Sequence, residues 1–151
     1  MTIDEDILLA PMLRIKALLE EDEWFAGAVI TEEEHNISKV VLAAITKMKF
    51  CAAITLGSAQ ADAPDPSTLA LVQDYVVSLF RDPTLDAGGR ILPRAIPRVL
   101  AAVQGESVAE DGDCTLPDAC FELVSFTPEK PPEGTLLEIY HMTFRATINL
   151  F

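Results

Sequence analysis

Residues 69–105 read LALVQDYVVSLFRDPTLDAGGRILPRAIPRVLAAVQG, and the reading of this stretch decides the fold. Leu69, Leu71, Tyr75, Val77 and Leu79 share one face at period two. Ala70, Val72, Asp74, Val76, Ser78 and Phe80 share the other, a mixed face. That alternation predicts a strand over Leu69 to Phe80, buried on one side and partly covered on the other. Pro83 has no N–H to give a ladder and pushes Asp82 towards extended geometry, so pairing ends there. Gly88-Gly89 supplies the reversal into a helix over Arg94 to Gln104. Leu92, Ile96, Val99, Leu100 and Val103 form its apolar stripe, and Gly105 falls where a left-handed C-terminal cap belongs. Because a proline deep in a helix costs ~3 kcal/mol, Pro97 is expected in the first turn.

Outward from this unit the chain alternates helical and extended patterns. Ile7, Leu8, Met12, Ile15, Leu18 and Leu19 recur at helical spacing behind Asp4 and Asp6, with Pro11 as the expected first helical residue. The acidic run Glu20-Glu21-Asp22-Glu23 closes that helix, and Trp24 to Ile30 reads as a short strand. Thr31-Glu32-Glu33-Glu34 has the form of a capping box opening a second helix that carries Ile37, Val40, Val41, Ala44, Ile45 and Met48. Phe50 to Leu56 alternates as a strand, whereas Gly57 to Ser67, rich in Ala, Asp, Pro and Ser, reads as an exposed loop. Beyond the polar segment Glu106 to Asp118, Cys120 to Thr127 reads as a strand and PEKPPEG, residues 128–134, as a turn. In the final strand Leu136, Tyr140, Met142, Phe144, Ala146, Ile148 and Leu150 face one way, and Thr135, His141, Thr143, Arg145, Thr147 and Asn149 the other. The expected class is α+β, a mainly antiparallel sheet with helices packed on one face, in a single domain over residues 1–151.

Composition narrows the function. Half of the 151 residues are hydrophobic, the net charge is -13, and mean hydropathy is +0.26. The apolar surplus is either a dense core or a subunit interface, and the second fits better, because obligate interfaces resemble a core cut in half. So acidic a chain, with 11 Lys and Arg and no basic run, is unsuited to the phosphate backbone of nucleic acid. Cys51, Cys114 and Cys120 form no CxxC pair, and a reducing cytosolic setting is their simplest account. The acidic N-terminus does not read as a signal peptide, and the longest apolar run, Val40 to Ile45, is too short to span a bilayer.

Chemistry-bearing motifs are sparse. His35 and His141 have no His or Cys partner at metal-ligand spacing. Cys51 lies in an apolar strand, and neither Cys114 nor Cys120 has a basic neighbour to favour a thiolate. Asp111 and Asp113 around Gly112 lack the ligand series and closing Glu of a calcium loop. Asp74 interrupts an apolar strand, and a position on the sheet rim is its simplest reading. The expectation is therefore no catalytic, cofactor-binding or metal-binding residues, and no enzyme. The alternative is a small acidic ligand-binding or acid-base enzyme domain of α+β type with its site at Asp74.

The long strand entering Leu79-Phe80-Arg81-Asp82-Pro83-Thr84-Leu85-Asp86 and then a helix resembles the tail terminator, or tail completion, proteins of long-tailed bacteriophages. Phe80, Pro83 and Leu85 match a Phe-acid/amide-Pro-x-Leu-Asn turn of that group. Arg81-Asp82 stands in place of its Glu-Asn, and Asp86 in place of its Asn. The closing Tyr140-His141-Met142-Thr143-Phe144 is similar to the group's last strand. The resemblance implies a non-enzymatic phage or prophage tail protein forming a hexameric ring that caps the tail tube, ends its polymerisation and offers a head-joining surface. It further implies a homo-oligomer with the tube protein and the head-tail connector as partners. No cofactor, membrane or sequence-specific nucleic acid would be involved, and the protein would sit in the host cytoplasm during assembly and later in the virion tail. Phe80, Arg81, Asp82, Leu85 and Arg90 are the expected assembly interface.

Overall fold

The computed structural model describes residues 4–31, 37–65, 67–84, 89–109, 120–131 and 133–150. In chain order these form α1 (Leu9–Glu20), β1 (Val29–Thr31), α2 (Ile37–Met48), β2 (Phe50–Asp65), β3 (Thr68–Arg81), α3 (Leu92–Val103), β4 (Glu122–Glu129) and β5 (Glu138–Asn149). The strands make one sheet in the order β1-β2-β3-β5-β4. All neighbours are antiparallel except β1 and β2, which run parallel. The α+β class with a mainly antiparallel sheet is as expected.

β3 lies at the centre because both of its edges are paired along most of its length, to β2 and to β5. Its odd positions, Tyr75, Val77 and Leu79, are wholly buried with Phe50, Ala52 and Ile54 of β2 and Met142 and Phe144 of β5. Two helices cover this face. α1 contributes Met12, Ile15, Leu18 and Leu19; α3 contributes Leu92, Ala95, Val99 and Val103. The Tyr75 hydroxyl donates to the Leu8 carbonyl at 3.0 Å and fixes the start of α1 over the strand.

α2 departs from the expected arrangement of helices on one face. Its Ile45 is buried with Ile30 and Cys51, and Val40, Val41 and Ala44 pack there with Phe80 and Leu137. Cys51 and Phe80 are directly paired and point opposite to Phe50 and Leu79. So α1 and α3 share one face, and α2 covers the lower end of the other.

Several boundaries moved for identifiable reasons. β2 does not stop at Leu56 but runs to Asp65, pairing with β3 through irregularities at Leu56/Ala59 and Asp62/Asp65. The weak strand propensity of residues 57–65 is overridden by the partner strand, which satisfies their backbone groups. Gly57 belongs at the first irregularity, since a Cβ there would sit 3.1 Å from that of Asp74. α3 starts at Leu92, so Pro97 lies in the second turn, not the first. Pro93 takes the first-turn position, and burial of Leu92 and Ala95 draws the helix start back. Gly105 has φ +75°, as its capping role requires.

α1 likewise starts at Leu9, ahead of Pro11, which still lies in the first turn where no N–H is needed. The strand expected over Trp24 to Ile30 is confined to Val29–Thr31. Thr31 is its last described residue, paired with Ile54. Glu32, Glu33, Glu34 and His35 lie outside the described residues. β4 begins after Cys120 and continues through Pro128 to Glu129, taking the start of the expected turn, and β5 begins only at Glu138.

Cys51 is free and buried, which pushes its thiol up to about 12. Cys120 is disulfide-bonded, so the reading of all three cysteines as reduced thiols does not hold. Cys114, Asp111, Gly112 and Asp113 lie outside the described residues.

Candidate assembly surface

Four of the five residues expected at an assembly interface lie at the lower end of the sheet, Phe80 on the α2 face and Arg81 and Arg90 beside Phe50. Leu85 lies outside the described residues. Phe80 is half-buried under α2. Arg81, paired across the ladder with both Phe50 and Glu138, donates from Nη1 to Glu138 Oε2 at 3.0 Å. Its Nε is buried and has no hydrogen-bond partner. Asp82 accepts from the Thr84 hydroxyl at 2.6 Å and from the Thr84 amide at 2.9 Å. The hydroxyl contact, then the amide, then the charge of Arg81 hold its carboxyl below the usual range. Asp82 N–H also donates to the Lys49 carbonyl at 3.3 Å, tying the end of β3 to the start of β2. Arg90 donates from Nη1 to the Trp24 carbonyl at 3.2 Å, with its guanidinium 5.6 Å from the centre of the Phe50 ring. This group therefore closes the end of the fold: its polar contacts hold β2, β3, β5 and the segment that follows α1 together.

A second polar cluster lies on the face opposite α1 and α3. Asp74 is buried in the central strand, so the rim position expected for it is corrected. Its Oδ1 accepts from Arg145 Nε at 2.9 Å, and its Oδ2 from Ser58 Oγ at 3.2 Å and Arg145 Nη2 at 3.4 Å. The hydrogen bond to Asp74 raises the Arg145 pKa, assisted by the charges of Asp74 and Glu122. A recess of about 380 Å³ opens beside this pair, lined by Ser58, Gln60, Val72, Asp74 and Arg145. Asp74 has its acceptor sites engaged within the chain and is poorly placed to serve as a general base.

Two turns of the pleat away, Ser78 Oγ lies 2.7 Å from His141 Nδ1, and His141 Nε2 lies 2.8 Å from Glu129 Oε2. The sequence of groups is that of a nucleophilic relay. Ser78, however, is buried in mid-strand between two ladders, where neighbouring amides are engaged in pairing and not aimed at a developing oxyanion. The chain of contacts instead ties β3, β5 and β4 together across the sheet. Sequence reasoning placed His141 and Arg145 correctly on the polar face of the last strand but missed their partners. The available signal was the parity of β3, in which Asp74 and Ser78 share a face. Among the described residues no group of three or more His, Cys, Asp or Glu is arranged to hold a metal ion. Nor is any helix among them long and apolar enough to cross a membrane.

No family model matches the chain, and no curated protein matches it. Among solved structures it is similar to a chain described as "Virion of native gene transfer agent (GTA) particle". The identity is 19% and the TM-score 0.45, with 65% of this chain and 69% of that one covered. A likeness this distant carries no weight for function.

Proposed function

We propose that this protein is a structural tail component of a phage or prophage, a ring-forming cap that ends tail-tube polymerisation and presents a surface for head joining. The observation that carries the reading is the Phe80-x-x-Pro83-x-Leu85 pattern at the end of the central strand, leading into α3, with the similar Tyr140–Phe144 stretch in the strand beside it. Phe80, the first residue of the motif, and the closing strand thus belong to one paired unit. The apolar surplus and the strongly acidic balance support the same reading: the first suits subunit contacts, and the second a lumen that repels passing DNA. The hexamer, the tube protein and the connector belong to this proposal, as does the single-domain organisation of residues 1–151.

The experiment is tube assembly in vitro. The cognate tube protein is polymerised with and without this chain, and tube lengths and tube ends are measured by electron microscopy. Short tubes bearing a ring of density at one end are expected. Tubes of unchanged length with bare ends would sink the reading.

A further inference from the structure

In a chain with 24 acidic residues, the segment from Ile37 to Lys49, ISKVVLAAITKMK, contains none. α2 packs its Val40, Val41, Ala44 and Ile45 side onto the sheet. The opposite side carries Lys39, Leu42, Ala43, Thr46 and Lys47, all exposed, with Leu42 65% exposed. These positions fall three and four apart and form one stripe, an apolar residue between two lysines. Among the described residues neither lysine has a salt bridge. An exposed leucine flanked by cations on an acidic protein is a surface built for an acidic partner with an apolar pocket.

The same chain carries such a surface on its other side. A cleft of about 540 Å³ lies between α1 and α3, with Leu18, Ala101 and Ala102 as its apolar lining and Glu21, Asp22 and Glu23 along its wall. Asp22 is already taken by Arg98, whose Nη1 lies 2.8 and 2.9 Å from its two oxygens. Glu21 and Glu23 are exposed and unpaired. They stand at the C-terminal end of α1, whose last turn has no basic residue, where the helix dipole repels carboxylates. Cations arriving from outside would relieve that repulsion.

We propose that the outer face of α2 docks into the α1–α3 cleft of a second copy of the chain. Leu42 enters against Leu18, Ala101 and Ala102, while Lys39 and Lys47 meet Glu21 and Glu23. The two surfaces lie on opposite faces of the sheet, so the contact is head-to-tail and not two-fold, the kind that closes into rings when the rotation per copy allows. The inference rests on the ring reading above and supplies its subunit contact.

The test is a cysteine pair in the full chain, Leu42→Cys with Ala101→Cys. Both sites are exposed, and Cys51, the free thiol among the described residues, is buried. Oxidation at high protein concentration is followed by non-reducing gels and light scattering. A covalent ladder ending in one closed species is expected, with neither single variant giving more than a dimer. A charge swap supplies the second arm. K39E/K47E alone and E21K/E23K alone should each weaken association at least about tenfold, and mixing the two should restore an alternating assembly, because each variant's helix then meets a cleft of opposite charge. Circular dichroism of each variant excludes misfolding as the cause. If the wild type assembles but the pair does not cross-link and the swaps have no effect, this contact is overturned while the ring reading stands. A chain that stays monomeric at millimolar concentration also overturns the contact, and tube capping then decides the ring reading separately.

Discussion

β3 and β4 both pair with β5, one on each side of it, yet they obey different rules. β3 is hydrogen-bonded on both edges, contains no proline, and buries Tyr75, Val77 and Leu79 completely. Among the described residues β4 pairs only with β5; it is exposed at almost every position, carries Pro128, and has a register shift between Leu123 and Ser125. Phe126 stays 52% exposed and gains a stacked contact with Tyr140 at 6.1 Å. The difference teaches where stability is concentrated. The central strand holds the core under α1 and α3, while the edge strand is fastened by a ladder, one aromatic pair, the Glu129–His141 contact and a hydrogen bond from the Leu123 amide to Gln104 Oε1 at 2.7 Å.

The largest test of that contrast is truncation on either side of β5. Leu79→Ala leaves a cavity in a site with no exposure and should cost roughly 2–5 kcal/mol. Phe126→Ala removes a half-exposed ring and should cost no more than about 1.5 kcal/mol, the scale of an aromatic pair. Urea melts with a shared slope measure both. Equal losses would mean that β4 is part of the core after all.

Alkaline pH probes the buried half of β2, against which β3 is packed. The folded state holds the Cys51 thiol near 12, above its ordinary 9.0, so folding favours the protonated form. That contribution is complete below pH 9 and is lost as pH rises from 9 towards 12, with a slope of at most about 1.4 kcal/mol per pH unit. Tyr75, also raised by burial, acts in the same direction. Cys51→Ala should flatten part of the alkaline decline. In the native wild type, Cys51 should react with a thiol reagent only as fast as the protein opens. Rapid labelling at neutral pH would contradict its burial.

Cross-strand charges give a smaller contrast. Asp74→Ala strips Arg145 and Ser58 of a buried acceptor and should cost about 2 kcal/mol. Glu129→Ala breaks a contact between half-exposed groups and should cost less than about 1 kcal/mol. Thermal melts at matched ionic strength distinguish them. A reversal of that order would place the fastening of the sheet in β4.

What could be read from the sequence divides along the same line. The alternation of Leu69 to Phe80 and of Tyr140 to Ile148 shows through because one face of each strand is buried, and burial selects residues at period two. The hairpin through PEKPPEG is legible because so proline- and glycine-rich a stretch cannot continue a ladder far, although Pro128 and Glu129 are still paired. Residues 57–65 were not, since small and acidic residues become a strand only when β3 stands beside them. Strand order was not legible either. Asp74 has the same local pattern at a rim as in a central strand, and its partner Arg145 is 71 residues away. The site's polar rows on β3 and β5 needed the register, whereas the acid-free face of α2 was visible in the composition of that one segment.

The smallest expected effect concerns Pro128. Proline is tolerated in β4 because an edge strand has one side without a partner, and there it blocks pairing with a further chain. Together with the irregularity at Leu123/Ser125 it shortens the clean open edge to a few residues. Pro128→Thr restores an N–H and a β-branched side chain at an exposed site, so folding stability should change by no more than about 0.5 kcal/mol. The edge itself should become a better template. Slow light scattering on prolonged incubation should rise in the variant, while the thermal midpoint stays where it was. The matching insertion in the centre, Val76→Pro, should by contrast prevent folding, because it removes a ladder bond between two paired neighbours. If Pro128→Thr stabilises strongly without added association, the proline is a defect in the ladder and not a guard on the edge.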